Sequence, residues 1–89
     1  MGMSYEVVIT RDAAKSLARI ERRQRERIEA VIGSLAEQPR PVGCTKLAGT
    51  ESGYRVRVGD YRVVYTVDDQ QVKVTVVKIG HRRSVYQEL

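Results

Sequence analysis

The stretch YRVRVGDYRVVY, Tyr54 to Tyr65, alternates apolar and polar residues on both sides of Gly59-Asp60. Alternation of period two, interrupted by a Gly-Asp pair, specifies two antiparallel strands joined by a two-residue turn. The turn also sets the register. Val58 pairs with Tyr61, Arg57 with Arg62, Val56 with Val63, Arg55 with Val64 and Tyr54 with Tyr65. Successive side chains point to opposite faces, so Val56, Val58, Val63 and Tyr65 fall together. Arg55, Arg57 and Arg62 share the other face. The apolar side needs a covering layer, and the rest of the chain must supply it.

That layer lies upstream. YEVVIT, Tyr5 to Thr10, is short and β-branched and reads as a first strand. RDAAKSLARI then changes to helical spacing, with Ala13, Ala14, Leu17 and Ile20 on one side and Thr10 or Asp12 as its cap. A second helical stripe follows at Ile28, Val31, Ile32, Leu35 and Ala36. Glu21 to Arg27 holds no apolar residue, and one continuous helix would bury Gln24. Two helices with a break near Ile20 to Arg23 fit better. Pro39 ends the second.

After a loop through CTKLAGTESG, the chain becomes a meander of three strands, about Tyr54–Val58, Tyr61–Val67 and Val72–Ile79. The second turn is expected at Asp69-Gln70. It adds Val74 and Val76 to the apolar face and Lys73 and Thr75 to the basic one. Lys78 would fall on the apolar face in this register, so a bulge is expected near it. The expected fold is α+β: an N-terminal strand, two helices, then a three-strand antiparallel meander, forming one twisted antiparallel sheet with helices on one face.

The 89 residues amount to one domain, 1–89. No apolar run approaches the roughly 20 residues that span a bilayer, and no signal-peptide core is present, so the expected compartment is the cytoplasm. One cysteine, Cys44, and one histidine, His81, exclude an internal disulfide and Cys- or His-based metal clusters. Lys and Arg total 16 against 11 Asp and Glu, a net charge of +5, which favours a polyanion or an acidic protein as partner.

The arginine face narrows that choice. Arg57 opposite Arg62 costs up to roughly 1 kcal/mol as a like-charge pair. A salt-bridged surface interleaves its signs, as the helix ERRQRERIE does with Glu21/Arg25, Arg22/Glu26 and Arg25/Glu29. The strand pair carries three arginines and no acid. A polyanion relieves the repulsion, and guanidinium forks match phosphate oxygens. Beyond the last strand, GHRRSVY brings His81, Arg82, Arg83 and Tyr86 within seven residues.

With these stretches in order, the chain resembles the RelE/ParE toxin superfamily of bacterial type II toxin–antitoxin systems, and RelE most closely. The likeness covers nearly the whole chain, and LAGTESGYRVRVGDYRVVYTVDD and VVKIGHRRSVY carry it. The resemblance implies an endoribonuclease (an mRNA interferase) that cuts messenger RNA in the A site of the 30S subunit and stops translation. The 2′-hydroxyl is its nucleophile, and a cognate antitoxin encoded beside it blocks it. It further implies no cofactor, no metal and no membrane, with DNA reached only indirectly through the antitoxin complex.

Residue by residue, the family's two basic positions on the first meander strand fall on Arg55 and Arg57, and its arginine on the next strand on Arg62. The arginine and tyrosine after the last strand match Arg82 and Tyr86. Such cleavage needs a base for the 2′-hydroxyl, positive charge on the pentavalent phosphate and an acid for the leaving 5′-oxygen. Arg57, Arg62 and Arg82 suit the charge, and a splayed base can stack on Tyr86. RelE has lysines where this chain has Arg55 and Arg57, and an arginine with a pKa above ~12 releases a proton poorly. Tyr86 and His81 are the remaining groups able to exchange one. Related toxins carry a histidine–glutamate pair in this region; His81 matches the histidine, and Thr45 stands at the glutamate position. The ParE branch shares the scaffold but poisons DNA gyrase, so fold alone does not choose between them. Basic residues at all three strand positions, with Arg82 and Tyr86, favour the ribonuclease.

Overall fold

The structure, a computed structural model, describes residues 4–81. Its elements run β1 (Glu6–Ile9), α1 (Arg11–Ala18), α2 (Arg22–Ser34), β2 (Thr45–Lys46), β3 (Gly53–Val58), β4 (Tyr61–Asp68) and β5 (Lys73–His81). They build a five-stranded sheet in the order β1-β5-β4-β3-β2.

The hairpin between β3 and β4 has the register read from the alternation, from Tyr54 opposite Tyr65 to Val58 opposite Tyr61. Gly59 takes φ +60°, as a two-residue II′ hairpin turn requires at its first position. The bulge expected near Lys78 is also present. Val64 pairs with Lys78 while Tyr65 pairs with Val76, which leaves Val77 as the extra residue. Lys78 thereby moves to the Val64 side, and Ile79 enters the core at 3% exposure. Thr10 sits beside this irregularity, its backbone N–H donating to Val76 O at 3.0 Å and its Oγ1 to Val77 O at 3.4 Å.

The helical layer breaks where Gln24 would otherwise have been buried. Thr10, rather than Asp12, caps α1 by accepting from Ala13 N at 3.3 Å. Ile20 N–H closes onto Leu17 O, and Glu21 starts α2 by accepting from Gln24 N. Ile20 itself is buried between the helices and the sheet. Leu17, Ile28, Ile32 and Leu35 pack on Val56, Val63, Tyr65, Val74 and Val76, with Val31 partly buried at the margin. Burying each such side chain contributes about 1.5–3 kcal/mol, which is most of what a domain this small has to hold itself together.

Three features differ from the sequence reading. The sheet is mixed, because β1 runs parallel to β5, with Val7 opposite Val74. Alternation reports which side chains are buried but carries no strand direction, and the long helical crossover permits a parallel return. Thr45–Lys46, read as loop, forms a short antiparallel edge on β3. Finally, the face away from the helices is partly covered. Leu47 closes over Val64, and both are buried, with Val77 packed alongside. Among the described residues no helix is long and apolar enough to cross a membrane.

Candidate active site

On the sheet face opposite the helices, Gly43, Thr45, Arg55, Arg57 and Arg62 line a cleft of about 360 Å³. The hairpin register builds most of it. Arg57 and Arg62 are direct cross-strand partners, and β2 sets Thr45 opposite Arg55. Arg57 is exposed, while Arg55 and Arg62 are half-buried. None of the described residues lining the cleft is acidic. The ion pairs Arg22–Glu26 at 3.0 Å and Arg40–Asp69 at 2.7 Å lie outside it. A concave wall with guanidinium groups from two strands is suited to an oxyanion with several oxygens, such as a phosphodiester.

The loop that supplies Gly43 is fixed from several directions. Tyr65, buried in the core, donates its hydroxyl to Pro39 O at 2.8 Å. Burial pushes that phenol above its ordinary value, with Cys44 beside it adding to the effect. Arg40 donates from Nη2 to Asp69 Oδ2 at 2.7 Å and from Nε to Tyr54 Oη at 2.9 Å. Its guanidinium also lies 5.3 Å from the centroid of the Tyr54 ring, which stacks on Tyr65. Tyr5 Oη donates to the other Asp69 oxygen at 2.7 Å. Arg40 and then Tyr5 hold the Asp69 carboxyl below the usual carboxylate range, while Asp69 raises the Tyr5 phenol and the Arg40 guanidinium. This clamp joins the loop to β3, β1 and the turn after β4.

Of the residues expected at the site, Arg55, Arg57 and Arg62 are brought together. His81 is set apart. It pairs with Tyr61 on the helix-facing side, the two rings 5.7 Å apart and edge to face. Adjacent strand residues face opposite ways, so the sheet separates His81 from Arg62. Arg82 and Tyr86 lie outside the described residues. Gly43 was missed as a lining residue; the Pro41-Val42-Gly43 turn was the available signal. Its φ of +96° is one that glycine adopts without strain.

Comparison with known proteins agrees with this fold. Residues 7–86 match the model of the family described as ParE toxin of type II toxin-antitoxin system, parDE. Toxin RelE of Mycobacterium tuberculosis is 36% identical over 83 residues, covering 92% of this chain and 86% of that protein. The mRNA interferase toxin RelE of Escherichia coli is 30% identical over 90 residues, 97% of this chain and 94% of its own. Among solved structures, the archaeal RelE-RelB complex from Pyrococcus horikoshii superposes with a TM-score of 0.82 at 30% identity, over 92% of this chain and 99% of that one. The family model is named for one branch and the curated relatives for the other. The chain belongs to the RelE/ParE superfamily of type II toxin–antitoxin toxins, and RelE is the branch it resembles.

Proposed function

We propose that the chain is a ribosome-dependent endoribonuclease that cuts messenger RNA in the A site by attack of a 2′-hydroxyl on the adjacent phosphate. The observation that carries this reading is the cleft of Arg55, Arg57 and Arg62, which holds three guanidinium groups on one wall and no described acid. Attack by the 2′-oxygen expels the 5′-oxygen and leaves a cyclic phosphate. Between those events the phosphorane gathers charge that preorganised arginines stabilise. Arg57 and Arg62 fill that role together with Arg82, and Arg55 holds the neighbouring phosphate. Tyr86 stacks on the splayed base, and proton exchange falls to Tyr86, because the sheet holds His81 on the face away from the cleft. The attacking group comes from the RNA itself, so no step in this scheme calls for a metal or cofactor.

An antitoxin chain is the expected partner. Solved relatives include RelE–RelB complexes, and a basic cleft that stops translation has to be silenced in its own cell. One specific finding favours a second reading, poisoning of DNA gyrase: the matching family model is that of ParE. A single experiment separates the two. Primer extension on ribosome-bound message is run beside a gyrase supercoiling assay. Cuts that appear with the wild type and vanish with Arg62→Ala support the ribonuclease. Intact message with blocked supercoiling moves the chain to the ParE reading.

A further inference from the structure

Val42 is fully exposed, at 105% of its reference area, and Ile9 at 37% is the other exposed large apolar residue among those described. A lone exposed valine is ordinary on a protein surface. Its position here is not. Val42 lies between Pro41 and Gly43, and Gly43 forms part of the arginine cleft wall. Neighbouring Cα atoms are about 3.8 Å apart, so Val42 stands at the rim of the cleft.

The backbone around it forms a tight turn. Cys44 N–H donates to Pro41 O at 3.1 Å, and Gly43 at φ +96° occupies the third of the four positions, the type II pattern. The second position of such a turn accepts most residues, and polar ones suit water better. Packing gives no reason for valine either, since the side chain is fully exposed. The turn is also held on both flanks. Tyr65 holds Pro39 O, Arg40 is bound to Asp69 and Tyr54, and Cys44 packs against the core before β2 begins. A rigid loop thus presents an apolar tip beside a basic cleft of about 360 Å³.

We infer that Val42 is a base-contacting residue, an apolar wedge that packs on the nucleobase flanking the phosphate held by Arg55, Arg57 and Arg62. This inference rests on the reading of the chain as an RNA-cleaving toxin. Single-stranded RNA is recognised through bases splayed from the stack, and apolar side chains serve as wedges between bases elsewhere. Because the clamp orders the turn beforehand, little conformational entropy is lost when the base arrives. Arginines grip a backbone that every sequence shares, so Val42 adds a contact to the base itself.

The test measures cleavage of ribosome-bound message at rising toxin concentration for the wild type, Val42→Ser and Val42→Leu. Each message carries either ordinary nucleotides or one abasic nucleotide, moved through the codon and its neighbours. Val42→Ser should raise the half-saturating concentration about three- to tenfold while the maximal rate stays within about twofold. Val42→Leu should restore wild-type saturation, and the serine penalty should vanish at one abasic position. Thermal midpoints should coincide, because Val42 makes no packing contact to lose. Equal saturation by the serine variant and the wild type overturns the inference, as does a penalty that persists at every abasic position. A wild type that cuts no message removes the ribonuclease reading and this inference together. A wild type that cuts no better than Val42→Ser removes this inference alone.

Discussion

Arg57 and Arg62 stand directly opposite one another across the β3–β4 ladder. Folding therefore brings two like charges together without an acid in the cleft wall between them. Arg57→Ala should leave unfolding free energy unchanged or raise it by up to about 1 kcal/mol, since it removes a repulsion. The same substitution should lower cleavage at saturating toxin by roughly 10²–10³, the usual cost of one preorganised donor. Urea denaturation and primer extension on the same preparations check both halves. A variant that loses stability and activity in parallel would show that Arg57 serves the fold.

Phosphate contacts also leave a mark on salt dependence. If Arg62 neutralises one phosphate of a single strand, Arg62→Ala should reduce the slope of log affinity against log salt by about 0.7. A salt titration of RNA binding by wild type and variant reads this directly. An unchanged slope places Arg62 away from the backbone.

His81 lies on Tyr61, on the side of the sheet facing the helices. From that position His81→Ala should lower cleavage by less than about tenfold, whereas loss of a working general acid costs about 10²–10⁴. Single-turnover rates measured as a function of pH distinguish the outcomes, because an imidazole that exchanges the proton leaves an inflection in the profile. Disappearance of such an inflection in His81→Ala would make His81 the proton donor.

The clamp at Asp69 predicts a pH dependence of stability. Arg40 and Tyr5 hold its carboxyl below the usual range, so the folded state binds this proton less readily than the unfolded one. The clamp's contribution is complete above the unfolded value of about 3.9 and is lost as pH falls through the lower, folded value. Thermal midpoints of the wild type and Asp69→Asn should therefore differ at pH 7 and converge in acid. A constant gap would mean that Asp69 acts through shape and not through charge. Since both side chains are largely exposed, high salt should narrow the gap as well.

Tyr65→Phe removes the hydroxyl that satisfies Pro39 O in a buried setting. It should cost about 1–3 kcal/mol, the penalty for stranding one buried polar group. A smaller cost in urea denaturation, with the turn unchanged, would indicate that water reaches the carbonyl.

The parts of this molecule legible in its sequence are those fixed over short distances. Gly59-Asp60 set the hairpin register, and that register alone groups Arg55, Arg57 and Arg62 on one face. Lys78 betrayed the bulge because a lysine does not belong in a core. The direction of β1 was not legible, since Glu6–Ile9 would bury Val7 equally well in either sense. Leu47 over Val64 left a trace in the run Val63-Val64-Tyr65, where three consecutive large residues break the alternation and require cover on both faces. The clamp left no trace. Tyr5, Arg40, Tyr54 and Asp69 come from four separate segments, and no local spacing connects them.

The place of β1 at the sheet edge has a consequence for how the chain is made. Among the described residues its one strand neighbour is β5, so Glu6 waits for Lys73 and Ile9 for Val76. Contacts this distant in sequence slow folding, because a long loop must close before they form. Synthesis proceeds from the N-terminus, so the first strand to leave the ribosome is the one that must wait for the last. The arginine hairpin, closed by a two-residue turn, has no such delay. On this reasoning the hairpin with its charged face is expected to form before the β1–β5 pairing completes the sheet, an order that φ-values of Val56→Ala and Val7→Ala would read out.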